Sequence, residues 1–501
     1  MSVASNAVAP ELVADPVTID PAPTDPVTID PAPINPALID SALIDPAPTD
    51  PAQIRGLSVG QESLWLLYRM APDSAAYNDV GAVLFAPGPD LPALTRAVAA
   101  VADRHEVLRS RFAEAGDRPV RVPMPRGSAR LEVRDVPGVS DGELADLAAR
   151  EAKRPFELET TGPFRALLLR READAALVLC VHHIATDAYS VHLVWRDLTE
   201  AYLAYSAGED LPPRPEPDGT FDEFVVRERE LLDSPRRAEL AEYWRSATAG
   251  ARAAVLPLDR PRPARPEFDG GKCSRTLPDE LYRQVSSTAG QLDCTLFTAL
   301  FAGLHALLYR YTNQAELIVG CPTSVRRSRS LREVVGLLVN TLAIRSSWTA
   351  GTTFAEAAAA VGRQVAAGSA RSGYPYALMG SGAAGEEPLI RIAATMVVLG
   401  AEMLPVDGGE PRQIPGHEVT RLDVPYLEGQ FDLNVEFTRS PDSMAVVFRY
   451  DRQLFDELTV ETLLDRYLCL LESVCADPGR PVSQAAVIGA AERSRLLQLG
   501  G

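Results

Sequence analysis

Apolar residues recur at two periods along the chain, and together they predict a fold that mixes helices with strands. Short aliphatic and β-branched runs predict buried strands near 165–181, 316–321, 339–346, 392–399, 431–438 and 443–450. Apolar positions three and four residues apart predict helices near 91–104, 142–153, 221–248, 295–311 and 458–475. Elements mixed in this way, in two halves of similar size, predict an α/β or α+β double domain.

One predicted strand, 175–181, runs directly into the sequence VHHIATDAYS at 181–190. Beyond Ser190, apolar residues at helical spacing predict a helix with Ser190 as its N-cap. His182, His183 and Asp187 therefore lie where a core strand ends and a loop begins, a usual position for catalytic groups on a rigid scaffold. Strand alternation turns the two histidines to opposite faces, and His183, which is closer to the loop, is the better catalytic candidate.

The histidine pair has three competing interpretations. A single histidine beside an apolar strand is most often a hydrogen-bonded core residue, but an adjacent pair followed by an acid favours chemistry. An imidazole titrates near neutral pH, so it can take a proton from a nucleophile and return one to a leaving group. A metal centre is the rival, but the other histidines form no set with ligand spacing: His105, His192, His305 and His417. We therefore expect a general base and no metal site.

Composition narrows the class of protein. The 501 residues are enough for two core-bearing units, and the net charge of −19 argues against nucleic acid and anionic membrane as partners. Six scattered cysteines predict reduced thiols. We find neither an apolar run of membrane-spanning length nor the basic start of a signal peptide. We expect a cytoplasmic monomer that binds neither nucleic acid nor membrane.

The first 54 residues differ from the rest of the chain. They contain eight acids, no lysine or arginine, and an imperfect ten-residue repeat that reads DPVTIDPAPT at 15–24 and DPVTIDPAPI at 25–34. Proline at this frequency blocks helix and sheet pairing, and the apolar content is too small for a core, so a disordered leader is predicted. The leader is either a solvated extension or a docking segment for an upstream module.

The histidine motif and several others together resemble the condensation domains of nonribosomal peptide synthetases, which belong to the chloramphenicol-acetyltransferase-like superfamily. His182-His183-x-x-x-Asp187 is similar to the HHxxxDG signature of that family. Other matches follow in family order: LSVGQESLWLL at 57–67, RHEVLRSRF at 104–112, VGLLVNT at 335–341, GYPY at 373–376, FDL at 431–433, and YD with LFD at 450–456. The resemblance covers about 56–495.

The resemblance implies a V-shaped pseudo-dimer of two acetyltransferase-like lobes around a central tunnel. The expected parts are the leader (1–54), an N-terminal lobe (55–215), a connecting segment (216–267), a C-terminal lobe (268–490) and the start of a linker (491–501). The implied reaction transfers an acyl or peptidyl group from a carrier-protein thioester to an acceptor amine or hydroxyl. Donor and acceptor carrier proteins would be the partners and would bring the 4′-phosphopantetheine, while the domain itself would bind no cofactor.

The resemblance also implies roles for single residues. His183 would deprotonate the acceptor, with His182 beside it, and Asp187 would pair with an arginine, for which Arg109 is the best candidate. Ala188, Ser190 and Asn340 are expected near the substrate or the oxyanion.

Two departures from the family pattern bear on activity. The glycine that follows the aspartate in the family is Ala188 here, which matters if that position needs a positive φ or a close approach by substrate. Val325 also replaces a glycine of the family. These departures leave one alternative from a different class: a catalytically silent domain that binds carrier proteins or recruits a partner enzyme.

Overall fold

A computed structural model describes residues 54–211, 219–263, 269–379, 388–398, 412–424, 431–440 and 443–489. The predicted leader, apart from its last residue, and the predicted linker at 491–501 lie outside the described residues. The first half contains, in chain order, α1 (Val59–Met70), β1 (Asn78–Ala86), α2 (Leu91–Arg104), β2 (Ser110–Ala115), β3 (Arg118–Pro123), β4 (Leu131–Asp135), α3 (Asp141–Ala152), β5 (Phe164–Arg170), β6 (Ala175–His182), α4 (Ala188–Ser206), α5 (Phe221–Asp233) and α6 (Arg236–Thr248).

The second half repeats the mixture of helices and strands. It contains β7 (Gly270–Thr276), α7 (Asp279–Gln291), α8 (Leu296–Thr312), β8 (Glu316–Ser324), β9 (Val339–Ser347), α9 (Phe354–Ser369), β10 (Ile392–Val398), β11 (Arg412–Ile414), β12 (His417–Arg421), β13 (Leu433–Arg439), β14 (Met444–Asp451) and α10 (Glu457–Ala476). The predicted mixed fold is thus confirmed. The single helical stretch predicted at 221–248 is two helices, because Pro235 lacks the N–H that an uninterrupted helix needs there.

The described residues form two six-stranded sheets, each with its own hydrophobic core. The first sheet has the order β11-β12-β1-β6-β5-β4, and the second has the order β7-β14-β13-β10-β8-β9. β6 is buried at every position, which explains why its sequence is continuously apolar rather than alternating. Because β6 lies between β1 and β5, its end is held on both sides by backbone pairing. The histidine motif therefore begins at one of the most constrained points of the first core.

The first sheet also takes up strands from the second half of the chain. β12 pairs antiparallel with β1, with Val83 opposite Arg421. His417 fixes this hairpin: its Nδ1–H donates to the carbonyl of Pro87 over 2.9 Å, and its Nε2 accepts from the Tyr202 hydroxyl over 2.8 Å. The hairpin shows that residues 412–421 belong to the first sheet although they lie in the second half of the sequence. The boundaries of the two lobes stay a prediction.

Among the described residues, no single helix is long and apolar enough to cross a membrane. The bent pair α7 and α8 meets the requirement jointly, by length and composition.

One glycine of the second sheet offers a test of the cross-strand packing. Gly271 lies opposite the buried Tyr450, and a Cβ at position 271 would overlap the Tyr450 ring. We expect Gly271→Ala to lower the free energy of unfolding by about 1–3 kcal/mol in urea titrations, because the ring must leave its place. Gly290→Ala in α7 is the matched control: its Cβ would meet nothing within 4 Å, so the helix should gain up to about 1 kcal/mol. Equal effects of the two changes would contradict the packing.

Candidate active site

The turn that follows β6 is held by contacts with two other segments of the chain. Residues His183–Ala185 form a single 3₁₀ turn. The N–H of His183 donates to the carbonyl of Tyr77 over 2.8 Å, just before β1 begins. From α1, the buried side chain of Gln61 donates through Nε2 to the carbonyl of Ile184 over 2.9 Å. The backbone around His183 is therefore fixed by contacts that do not involve the imidazole.

His182 is a buried, neutral residue of the first core. Its Nδ1 accepts from the N–H of Ile184 over 3.1 Å, so the ring proton lies on Nε2. Phe156 packs edge-to-face with the ring, with centroids 5.8 Å apart. Burial, and then the neighbouring charges of His183 and Arg165, lower the pKa of His182 to about 3. His182 therefore supports the turn, and its ring is uncharged at neutral pH.

His183 has the opposite arrangement. Its Nδ1 lies 2.9 Å from Oδ2 of Asp79, a residue of β1. Because a carboxylate can only accept, Nδ1 carries the proton, and in the neutral ring the lone pair on Nε2 is the one that can take a substrate proton. Burial of the ring favours the neutral form, but the charge of Asp79, the hydrogen bond to it and the charge of Asp187 outweigh burial and raise the pKa of His183.

His183 lies in the wall of a cavity that both halves of the chain line. The cavity has a volume of about 840 Å³. The first half contributes residues of α1 and α5, and the second half contributes residues from 325–341 and 370–377. Its apolar lining includes Leu64, Leu67, Leu231, Leu337, Val339 and Ile390. The ring of His183 therefore meets a mostly apolar space of the size that small-molecule sites have.

Asp187 caps the helix that follows the turn. Its Oδ1 accepts from the N–H of Ser190 over 2.8 Å, and its backbone is extended, with φ −139° and ψ 174°. The prediction that Ser190 is the N-cap is therefore wrong: α4 begins at Ala188, and Ser190 is its third residue. The carboxylate lies over the first turn of α4, where the N–H groups of a helix have no partner within the helix.

The arginine that pairs with Asp187 is Arg326, so the expected pairing with Arg109 is wrong. Nη1 of Arg326 donates to Oδ2 of Asp187 over 2.7 Å, and the N–H of Leu338 donates to the same oxygen over 2.9 Å. Arg109 instead donates to the carbonyl of Met124. The physical reason is position: Arg109 ends a 3₁₀ turn after α2, whereas Arg326 follows β8 and faces the start of α4.

Ser190 extends the same contact between the halves. Its Oγ donates to the carbonyl of Gly336 over 2.8 Å and accepts from the N–H of Gly336 over 3.0 Å and from Nη2 of Arg326 over 2.6 Å. A side chain at position 336 would overlap the ring of Phe221, so only glycine fits beside that ring. Asp187, Ser190, Arg326, Gly336 and Leu338 are called the interlobe clamp below.

Comparison with known proteins identifies the family. A family model described as condensation domain matches residues 52–497. The chain belongs to the condensation-domain family. This confirms the resemblance found in the sequence.

Three similar proteins illustrate the relationship. A linear gramicidin synthase chain of Brevibacillus parabrevis is 30% identical over 451 residues, which are 88% of this chain and 9% of that protein. The X-domain from teicoplanin biosynthesis, solved in complex with OxyB, is 25% identical with a TM-score of 0.77, over 88% of this chain and 98% of that one. The first condensation domain of the calcium-dependent antibiotic synthetase, solved with a substrate analogue, is 24% identical with a TM-score of 0.69, over 87% of this chain and 100% of that one.

These similarities confirm the expected fold, a pseudo-dimer of two chloramphenicol-acetyltransferase-like lobes. They also show that the chain covers a small part of the synthetase it matches.

The alanine that replaces the family glycine causes no backbone strain in this condensation domain. Ala188 is the first residue of α4, and the non-glycine residues with positive φ are Asp293 and Asn313 in the part of the chain that the structure describes. Its side chain is exposed and lies outside the cavity lining. As the first helical residue, it keeps an N–H that has no partner within the helix.

Asn340 lines the cavity, but its amide group is used by the protein backbone. Nδ2 donates to the carbonyls of Ser372 and Tyr374 over 2.9 and 2.7 Å, and Oδ1 accepts from the N–H groups of Thr341 and Tyr376 over 2.9 and 2.8 Å. Asn340 thus holds the segment 372–376, which contains the GYPY element, against β9. Its expected place near the oxyanion stays a prediction.

The sequence left three residues of this site without a role: Asp79, Gln61 and Arg326. Gln61 lies in the motif at 57–67 and Arg326 directly follows Val325, where the family has a glycine, so motif positions could have indicated both. Asp79 had no such signal, because it is 104 residues from His183 in the chain. Strand pairing between β1 and β6 brings the two together.

The pairing of Asp187 can be measured with double-mutant cycles. Asp187 and Arg326 have side chains that are each 5% exposed, so removing either should lower the free energy of unfolding by about 3 kcal/mol or more. We expect the double variant Asp187→Ala Arg326→Ala to lose at least about 1 kcal/mol less than the sum of the single losses. The matched cycle of Asp187→Ala with Arg109→Ala should be additive within about 0.5 kcal/mol. Coupling to Arg109 in place of Arg326 would refute the assignment.

The helical backbone at position 188 predicts that a glycine there will not stabilise the protein. Ala188→Gly should leave stability unchanged or lower it by up to about 1 kcal/mol, because glycine gains nothing at negative φ and orders at a greater entropic cost. Asp293→Gly, at a φ of 50°, is the control and should raise stability by up to about 1 kcal/mol. Thermal unfolding measures both, and a stabilising Ala188→Gly would mean that the position requires positive φ.

Proposed function

We propose that this condensation domain transfers an acyl or peptidyl group from a carrier-protein thioester to an acceptor amine, forming an amide. One observation supports this more than any other: His183 meets a cavity lined by both halves of the chain while Asp79 occupies its Nδ1. Nε2 is the nitrogen that remains to accept a proton from a nucleophile in that cavity. Family membership supports the same reaction class, since condensation domains are acyltransferases.

The proposed reaction has two steps. The acceptor nitrogen attacks the carbonyl carbon of the donor thioester, a C–N bond forms, and Nε2 of His183 takes the proton that the nitrogen loses. The tetrahedral intermediate then collapses, the C–S bond breaks, and the leaving thiolate takes that proton back from His183. His183 ends as it began, so no oxidant, metal or further reactant is needed.

The carrier proteins are the proposed partners. Each would present its substrate on a phosphopantetheine arm, which belongs to the substrate and not to the domain. An arm of that kind suits a cavity of about 840 Å³ with a mostly apolar lining. A cytoplasmic monomer, and an upstream module that docks on residues 1–54, complete the proposal.

A silent recruiting domain is the second candidate. The X-domain from teicoplanin biosynthesis, which has a similar fold, was solved in complex with OxyB, so a chain of this fold can bind a partner protein. The change to Ala188 suggested this alternative from the sequence. The positions of these residues favour an enzyme, because His183 lines the cavity and Ala188 lies outside its lining.

Replacing His183 tests the proposal directly. We expect His183→Ala to lower the rate of acyl transfer by about 10²–10⁴-fold, since the acceptor loses its general base. Intact-protein mass spectrometry of loaded donor and acceptor carriers measures the transferred acyl group. His192→Ala is the matched control: His192 lies on α4, stacks on Tyr189 and is outside the cavity lining, so its loss should leave transfer unchanged. Transfer that survives His183→Ala at the wild-type rate would refute the role of His183 as general base. Transfer that is absent from the unaltered chain with every carrier pair would favour the recruiting domain.

The size of the loss should depend on the acceptor. An α-amine has a pKa of about 8, so part of it is already unprotonated at neutral pH and positioning supplies much of the acceleration. A hydroxyl is not ionised at neutral pH and relies more on a base. We therefore expect His183→Ala to slow ester formation more than amide formation on matched hydroxyl and amine acceptors. Equal losses would show that His183 acts by positioning alone.

A further inference from the structure

Backbone pairing between β1 and β6 places Asp79 next to His183. In the ladder between β1 and β6, Asn78 lies opposite His182 and Asp79 lies opposite Val181. One residue earlier, the carbonyl of Tyr77 accepts the N–H of His183. The carboxylate of Asp79 and the imidazole of His183 therefore extend from a rigid pair of strands, and their atoms meet at 2.9 Å.

The two side chains have different relations to the cavity. His183 lines it and is 20% exposed, whereas Asp79 lies outside the lining and is 35% exposed. The carboxylate thus contacts the imidazole through Nδ1, and the opposite nitrogen, Nε2, is the one that a substrate in the cavity can reach. An acid that orients a base in this way is a general feature of histidine-dependent catalysis.

Resting on the proposed function, we propose that Asp79 is the positioning residue of the reaction: it holds the Nδ1–H of His183 so that Nε2 faces the cavity as proton acceptor. Asp79 acts through His183 and does not touch the substrate. When His183 takes the acceptor proton, both ring nitrogens carry protons, and the carboxylate stabilises the imidazolium that results. The benefit is largest for an acceptor that is hard to deprotonate, such as a hydroxyl.

The other charges near His183 do not take over this role. Asp187 also favours the protonated ring, but its two oxygens are occupied by Ser190, Arg326 and Leu338. His182, on β6, is neutral. Asp79 is therefore the carboxylate in direct contact with the ring.

The first test needs no activity. In the full chain with ¹⁵N-labelled histidine, the His183 signals, assigned with His183→Gln, should show the proton on Nδ1. In Asp79→Asn the tautomer should shift toward Nε2–H and the titration midpoint should move to lower pH, because the charge that favours the imidazolium is gone. An unchanged tautomer and midpoint would overturn the proposal, whether or not the chain transfers acyl groups. Unfolding of Asp79→Asn at room temperature would also overturn it, since it would assign Asp79 to structure.

The second test uses the rate of transfer. A base must be neutral to act, so kcat/KM should rise with pH through the pKa of His183, and in Asp79→Asn this rise should occur at lower pH. We expect Asp79→Asn to lose about 10–10²-fold of kcat/KM at the plateau, mainly in kcat, and Asp79→Glu to recover at least tenfold of that loss.

Asp135→Asn is the matched control: this exposed aspartate of β4 pairs with Arg170 in the same sheet, so neither the rate nor the pH profile should change. A loss in Asp79→Asn without a displaced profile would mean a structural role only. Wild-type chain that transfers nothing while the ¹⁵N result holds would refute the proposed function and leave the Asp79–His183 contact intact.

Discussion

The rest of the site depends on the hydrogen bonds that the carboxylate of Asp187 accepts. One oxygen caps α4, and the other accepts from Arg326 and from the backbone of Leu338, which belong to the second half of the chain. A buried carboxylate is stable only while its partners remain, because it has lost its water. The start of α4 and the segment 325–338 are therefore held together. Since His183 precedes this point by four residues and Leu337 lines the cavity, the same clamp sets the distance between the base and the opposite wall.

The adjacent histidines show how surroundings, and not residue type, decide chemistry. His182 points into the first core, packs on Phe156 and is neutral because burial disfavours its charge. His183 points the other way, keeps a carboxylate on Nδ1 and lines the cavity. His182 is the last residue of β6 and His183 is the first residue of the 3₁₀ turn that follows, so the two side chains leave the backbone in different directions. One residue supports the turn while the next is available for proton transfer.

Much of the fold could be predicted because its signals are local. The continuous apolar run of β6 and the helical spacing of α4 place the motif at the end of a core strand without any tertiary information. Contacts between distant segments could not be predicted in this way. Arg109 lies inside the motif at 104–112 and Arg326 directly follows Val325, where the family has a glycine, and nothing local distinguishes them as partners of Asp187. The choice depends on which element faces the start of α4 after the two halves pack. Likewise β12 joins the first sheet through a register with β1 that spans more than three hundred residues.

The sequence by itself determined the family, the mixed α/β character and the position of His183 at the end of a buried strand. It did so because periodicity and motif spacing record short-range geometry. The tertiary structure alone decided that Arg326 pairs with Asp187, that Asp79 holds Nδ1 of His183, and that Ala188 is an ordinary helical residue. Each of these depends on atoms brought together by strand pairing or by packing of the two halves. Hydrogen bonds and ion pairs act over about 3 Å, a distance that separation along the chain does not specify.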